Sequence, residues 1–339
     1  MPDYQIIEPS RLDRIQMEDP SSIYTIYHQL LRELPRKIAA DRTRDYCMQH
    51  LRAKKEVPIA LEFLYMNGYR ADMRMLLEEA SMKNSYKQLY GLLCDRMFNK
   101  RLSIKQLHKI ERLRYQDPHL QGLRLFLLVY GYHDCCQFAI MNKYVEEIQD
   151  LLYWIRRPLV KYYFQLRLDE VLFQYYWKAD MPVVAKKYAY RILHSALSYD
   201  RQCGVYRDLA LCDVFNGYDA AMSHVMAGLE LAEEHQLSRL YHVIKENVFP
   251  FIAAYHCKTE NVTTRNVTES GHLAVAAGNY LEAERIFSTF ETLTPFQECY
   301  LGVARNDSFA LNRAHFRFRK EYCDQFFAKL PMHYKKYLR

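Results

Sequence analysis

Glycine and proline are scarce, ten and eleven copies in 339 residues, together about half the usual share. So few turn formers exclude a loop-rich chain and point to long helices with short connections. Runs of alternating Val, Ile and Thr that would build a sheet are also missing. No G-x-x-x-x-G-K-[ST] or G-x-G-x-x-G occurs, so the sequence offers no loop to cradle a phosphate. No G-x-S-x-G nucleophile elbow is present. The thirteen histidines never form H-E-x-x-H. Nine cysteines, an odd number without a C-x-x-C, fit free thiols in a reducing cytosol better than a disulfide framework. His133-Asp134-Cys135-Cys136 lacks metal-ligand spacing and reads as a turn followed by core thiols. Met1 to Ser10 is polar and unlike a secretory signal. The longest apolar run, Leu125 to Tyr132, is too short for a bilayer. The expectation is a cytoplasmic protein that is no enzyme, with no cofactor, no metal and no membrane.

What the chain does contain is tyrosine, 29 copies. A flat ring that packs while its hydroxyl reaches a polar partner suits helix-repeat interiors. The net charge of +7 admits an acidic partner without requiring one.

The pattern is organised around Gly271 to Phe287, GHLAVAAGNYLEAERIF. A helix of small residues, a Gly278-Asn279 break and a second helix make a hairpin. Tyr280, Ala283, Phe287 and Phe290 lie on one helical face. A small alanine on that face and a Gly-Asn-Tyr entry mark a tetratricopeptide-like unit. Asn216-Gly217-Tyr218 opens a second copy. Ala221 and Ala283 each follow their tyrosine by three residues and lie 62 positions apart, close to two repeats of about 34. Ala185, Ala189 and Ile192 carry a third copy after Pro182. The fold expected is all-α, a tetratricopeptide-like helical-repeat solenoid whose concave face binds peptides or helices.

Along the chain, residues 1–56 read as an N-terminal arm with basic helices, including Arg11, Arg14, Arg36 and Lys37. Residues 57–339 read as the helical-repeat body. Ser21 or Ser22 caps a helix ending at Pro35, and Ser103 caps another. Helices are expected over 58–66, 71–82, 85–98, 120–130, 136–141, 144–155, 158–177, 182–195, 199–215, 218–234, 237–255, 295–304, 308–318 and 320–330, with a short one from Pro331. His256 to Val267 reads as a loop, and the last thirty residues are basic.

RDYCMQHL (44–51), LALCDVFNGYDAAMSHVMAGLELA (209–232), TESGHLAVAAGNYLEAERIF (268–287) and DQFFAKLP (324–331), in that order, resemble the AimR family of phage arbitrium receptors. The resemblance runs from about residue 40 to the C-terminus. It implies a cytosolic, homodimeric transcription regulator that binds DNA and governs lysis against lysogeny. An imported hexapeptide occupies the repeat groove and switches it. The resemblance also implies a peptide site. Glu269 and Asp324 match acidic groove positions and Phe326 an aromatic one. Arg201 matches a groove arginine, with Asp200 taking its place if the alignment slips by one. Gln174 and Lys178 stand near two groove asparagines. As a groove carboxylate, Asp324 is expected outside the core. The stretch before RDYC is shorter than the family's helix-turn-helix, so the resemblance implies an incomplete DNA-binding domain. The chain also ends sooner after Pro331 than the family's subunit-pairing helix. The alternative is a truncated receptor or adaptor that binds peptide or protein without contacting DNA.

Overall fold

In the computed structural model, residues 22–50, 56–135, 137–195, 198–336 and 338 are described. Every regular element among them is a helix, and within each unit many helices pack against the next one in the chain, a tetratricopeptide-like helical repeat. Two compact units divide the chain. One holds the chain up to Leu172 together with Tyr190–Ser198; the other holds Phe173–Ala189 and everything from Tyr199 onward.

The first unit contains α1 (Ile23–Glu33), α2 (Arg36–His50), α3 (Val57–Met66), α4 (Arg70–Glu79), α5 (Asn84–Met97), α6 (Ile104–Arg112), α7 (Pro118–Asp134), α8 (Phe138–Trp154) and most of α9 (Pro158–Lys178). Caps fall where the sequence put them: the Ser22 hydroxyl accepts from Thr25 N, and Ser103 with Gln106 forms a capping box, each satisfying backbone donors that the first turn leaves unbonded. The three short helices expected over 120–155 are two long ones. α7 is buried on all sides from Gly122 to Tyr132, so no polar face marks its continuation past Tyr130. α8 has neither Gly nor Pro, and Met141, Tyr144, Val145, Ile148 and Leu152 bury one continuous face.

A polar chain threads this core. Glu62 and Arg167 are both fully buried and pair at 2.7 Å. The guanidinium also lies 4.2 Å from the centre of the Tyr65 ring. The Tyr90 hydroxyl stands 2.9 Å from Glu62 Oε2 and 2.7 Å from His119 Nε2. Arg157 donates to His119 Nδ1 at 3.0 Å. That nitrogen therefore accepts, so Nε2 carries the proton of a neutral ring. Burial, reinforced by the Arg157 charge, pushes the His119 pKa down to about 3.

The second unit holds most of α10 (Pro182–Leu193), then α11 (Tyr199–Cys212), α12 (Tyr218–Glu234), α13 (Ser238–Val243), α14 (Phe249–Tyr255), α15 (Val267–Ala276), α16 (Tyr280–Phe287), α17 (Pro295–Ala304), α18 (Ser308–Lys320) and α19 (Lys329–Lys335). Ala185, Ala221 and Ala283 are completely buried, consistent with small residues at helix contacts. Gly278 has φ +75° at the hairpin turn, a conformation that side-chain-bearing residues resist. Gly271 faces the Phe287 ring so closely that a Cβ there would stand 2.4 Å from it.

The single helix expected over 237–255 is interrupted. Ile244–Val248 forms a π turn, with Phe249 N donating to Ile244 O. Pro250 has no N–H to offer the Glu246 carbonyl four residues earlier. The Thr264 hydroxyl supplies the missing donor at 2.6 Å, and Glu246 Oε2 accepts from Arg265 N at 2.6 Å. The expected helix over 320–330 does not form either. α18 stops at Lys320, an irregular segment follows, and α19 starts only at Lys329.

Candidate functional site

That irregular segment, 321–328, is held by its polar groups. Asp324 N donates to Phe318 O and Gln325 N to Lys178 O, both at 2.8 Å. The second bond satisfies a carbonyl that the end of α9 would otherwise leave open. Asp324 Oδ1 accepts from Phe327 N at 3.0 Å, and Oδ2 takes a 2.8 Å ion pair from Lys178 Nζ. As a whole residue Asp324 is 5 % exposed. The sequence reading kept Asp324 out of the core; the fold buries it, because the chain here turns back on itself and needs an acceptor inside the turn.

Phe326 is 1 % exposed. Its ring lies 4.8 Å from Phe215 and 5.9 Å from Trp177, centre to centre. Phe327 continues the aromatic cluster to Phe251, 5.9 Å away, and Phe251 lies 5.5 Å from His272. Glu269 enters here. It sits in the first turn of α15, where the side chain of Asn266 caps the helix. His272 Nδ1 donates to its carboxylate at 3.3 Å, and His272 Nε2 lies 2.6 Å from the Tyr334 hydroxyl. A carboxylate only accepts, so Glu269 holds a proton on Nδ1. His272 stacks on Tyr300 with ring centres 3.9 Å apart. Glu269, Asp324 and Phe326 are thus linked through one ring cluster.

Gln174 and Lys178, one turn apart near the end of α9, are each bound to a carboxylate. Gln174 Nε2 donates to Asp208 Oδ2 at 2.8 Å, and Arg207 pairs with the same group at 2.7 Å. Arg201 lies partly buried in the first turn of α11. Arg36 and Lys37 open α2 in the first unit, where Lys37 pairs with Asp41 at 3.1 Å and Arg44 with Asp45 at 2.6 Å. Arg11 and Arg14 lie outside the described residues.

Beside the Phe326 cluster the second unit opens a cleft of about 590 Å³. His315 and Arg319 of α18, Gln325 and Ala328 of the irregular segment, and Lys329, Met332, His333 and Lys336 line it. Phe215 and Tyr255 give it aromatic walls, and Asp180 is the one carboxylate among the described residues that line it. Lys329 pairs with Asp180 at 2.5 Å and lies 4.7 Å from the centre of the Phe326 ring. His315 Nδ1 donates to Ala328 O at 2.7 Å. Burial, with the charges of Lys336 and His256, lowers the His333 pKa. None of the five residues proposed for the peptide lines this cleft. The basic C-terminal run was the one sequence signal for it. The aromatic walls come from residues far apart in the chain.

Among the described residues no helix is long and apolar enough to cross a membrane. A family described as AimR transcriptional regulator-like matches residues 40–334. An uncharacterized protein of Bacillus anthracis is 26 % identical over 219 residues, covering 60 % of this chain and 80 % of its own. The ligand-bound structure of phAimR superposes with a TM-score of 0.76 at 13 % identity, over 96 % of this chain and 98 % of that one. Selenomethionine phAimR superposes with a TM-score of 0.67 at 15 % identity, over 95 % and 86 % of the two chains. At such identities the likeness is one of fold.

Proposed function

Since the chain belongs to the AimR transcriptional regulator-like family, a family of regulators rather than enzymes, we propose that it is a peptide-responsive transcription regulator of a phage lysis–lysogeny decision, working in the host cytoplasm. A short peptide is its ligand, and a homodimer its working form. The observation that carries this reading is the family match together with the second unit's cleft and the ring cluster behind it, in which Asp324 and Phe326 are buried and support the cleft from within. Glu269, Arg201 and Gln174 remain the proposed peptide contacts. The fold shared with a ligand-bound phAimR supports a ligand in this body.

DNA contact is proposed through Arg36 and Lys37, with Arg11 and Arg14. The α2 ion pairs favour the second reading, a receptor that binds peptide without DNA: two of the helix's cations are already matched by carboxylates on the same helix, so fewer remain to displace counterions from phosphate. One experiment separates the two. Retardation of the duplex upstream of the neighbouring gene, weakening steeply with salt and reduced by Arg36→Glu with Lys37→Glu, supports the regulator. Calorimetric binding of the hexapeptide encoded next to the gene, with no retardation at low salt, supports the peptide binder. Absence of both refutes the receptor reading.

A further inference from the structure

The cleft beside Phe326 carries an unbalanced charge. Arg319, Lys329 and Lys336 line it against the single carboxylate of Asp180, and Asp180 is already matched by Lys329. Among the described residues no carboxylate lies within ion-pair distance of Arg319 or Lys336. Arg319 is oriented nonetheless. Its Nε donates to Gln325 Oε1 at 3.0 Å, which fixes the guanidinium plane and leaves its terminal nitrogens as a donor pair suited to a planar carboxylate. Burial first, and then the nearby Lys336 and His256, lower the proton affinity of His333, which also lines the cleft. Phe215, Tyr255 and Met332 give the cleft an apolar part of its wall.

A volume of about 590 Å³ lies within the range of about 300–1,000 Å³ for sites that enclose a small ligand. Duplex DNA fits this poorly, since its phosphates are spread along the helix and are met by extended surfaces rather than by an aromatic-walled hollow.

We infer that this cleft binds the carboxylate of a short peptide, either its C-terminal group or an acidic side chain, next to an apolar residue packed on Phe215 and Tyr255. The inference rests on the peptide-receptor reading and names the chemistry of its ligand. The resemblance implies a basic ligand group; this cleft supplies cations for an acidic one.

The test uses the full chain and positional-scanning hexapeptide mixtures in two forms, free acid and C-terminal amide, read by affinity selection and mass spectrometry. The parent protein is expected to enrich either the free-acid form throughout or Asp and Glu at one position, which tells the two carboxylate sources apart. Arg319→Glu with Lys336→Glu should reduce that enrichment about tenfold and shift it toward Lys and Arg. Both residues are exposed, and an unchanged thermal melt confirms that the variant is folded. Enrichment of neutral or basic peptides alone by the parent, or enrichment untouched by the double reversal, overturns the carboxylate site while the receptor reading stands. No enrichment of any peptide overturns both. Loss of DNA retardation in the double reversal without any change in peptide selection assigns the cations to nucleic acid and overturns the inference as well.

Discussion

Replacing Asp324 by alanine should cost the second unit about 3–5 kcal/mol of folding stability. The side chains of Lys178 and Asp324 are 12 % and 7 % exposed. Removing one member of a pair so buried leaves the other charge without its partner, which costs about 3–5 kcal/mol. The loss of the acceptor for Phe327 N adds about 1 kcal/mol. Lys178 keeps its ammonium 4.0 Å from the Trp177 ring centre and 4.8 Å from that of Phe327, which offsets about 1 kcal/mol. Against a total stability of about 5–15 kcal/mol for a domain the change is large. Urea unfolding followed by circular dichroism measures it, through the shift in midpoint at constant slope. Two further variants sharpen the reasoning. Asp324→Asn keeps an acceptor for Phe327 N and should fall between parent and alanine. Lys178→Met with Asp324→Leu removes both charges together and should recover most of the loss, since apolar replacement of a whole buried pair is often neutral. An Asp324→Ala protein within about 0.5 kcal/mol of the parent, yet deficient in peptide binding, would refute the argument and return Asp324 to the groove as a ligand-binding carboxylate.

Gly271→Ala should destabilise by about 1–3 kcal/mol, because the new methyl would stand 2.4 Å from the Phe287 ring; a thermal melt no lower than the parent's would contradict the packing. His119 predicts a pH dependence. Its folded pKa of about 3 lies below the ordinary value, so from about pH 6.5 downward only the unfolded chain takes up the proton, and stability falls by about 1.4 kcal/mol per pH unit until the folded pKa is reached. Unfolding free energies between pH 7 and 4.5 should drop more steeply for the parent than for His119→Asn, and parallel curves would exclude the assignment. Thr264→Val should destabilise by about 1–3 kcal/mol, since the Glu246 carbonyl loses its substitute donor; Pro250→Ala should relieve most of that penalty by restoring an N–H, and equal losses with and without Pro250 would disprove the link.

The sequence by itself determined the helical class, most helix starts and the repeat. Scarce Gly and Pro, capping serines at 22 and 103 and the alanine spacing are local signals, and each reports a physical need met within a few residues of itself. The hairpin of Gly271 to Phe287 was legible for the same reason, from Gly278 and the face beginning at Tyr280. Local patterning failed where a distant partner decides. The apolar surround of α7 erased its periodicity. The π turn at Ile244–Val248 depends on Pro250 in the sequence but on Thr264 in space. Residues 320–330 have a helical composition, yet the backbone leaves the helix so that Asp324 meets Lys178, 146 positions earlier, and Gln325 N meets the end of α9. The same holds for the cleft. Its cations were visible as a basic C-terminal run, but a run of charge has no volume and no walls. Only the tertiary structure brought Phe215 and Tyr255 to face it and, among the described residues, left Arg319 and Lys336 without a carboxylate in ion-pair reach, because burial and charge balance are properties of what the chain folds against.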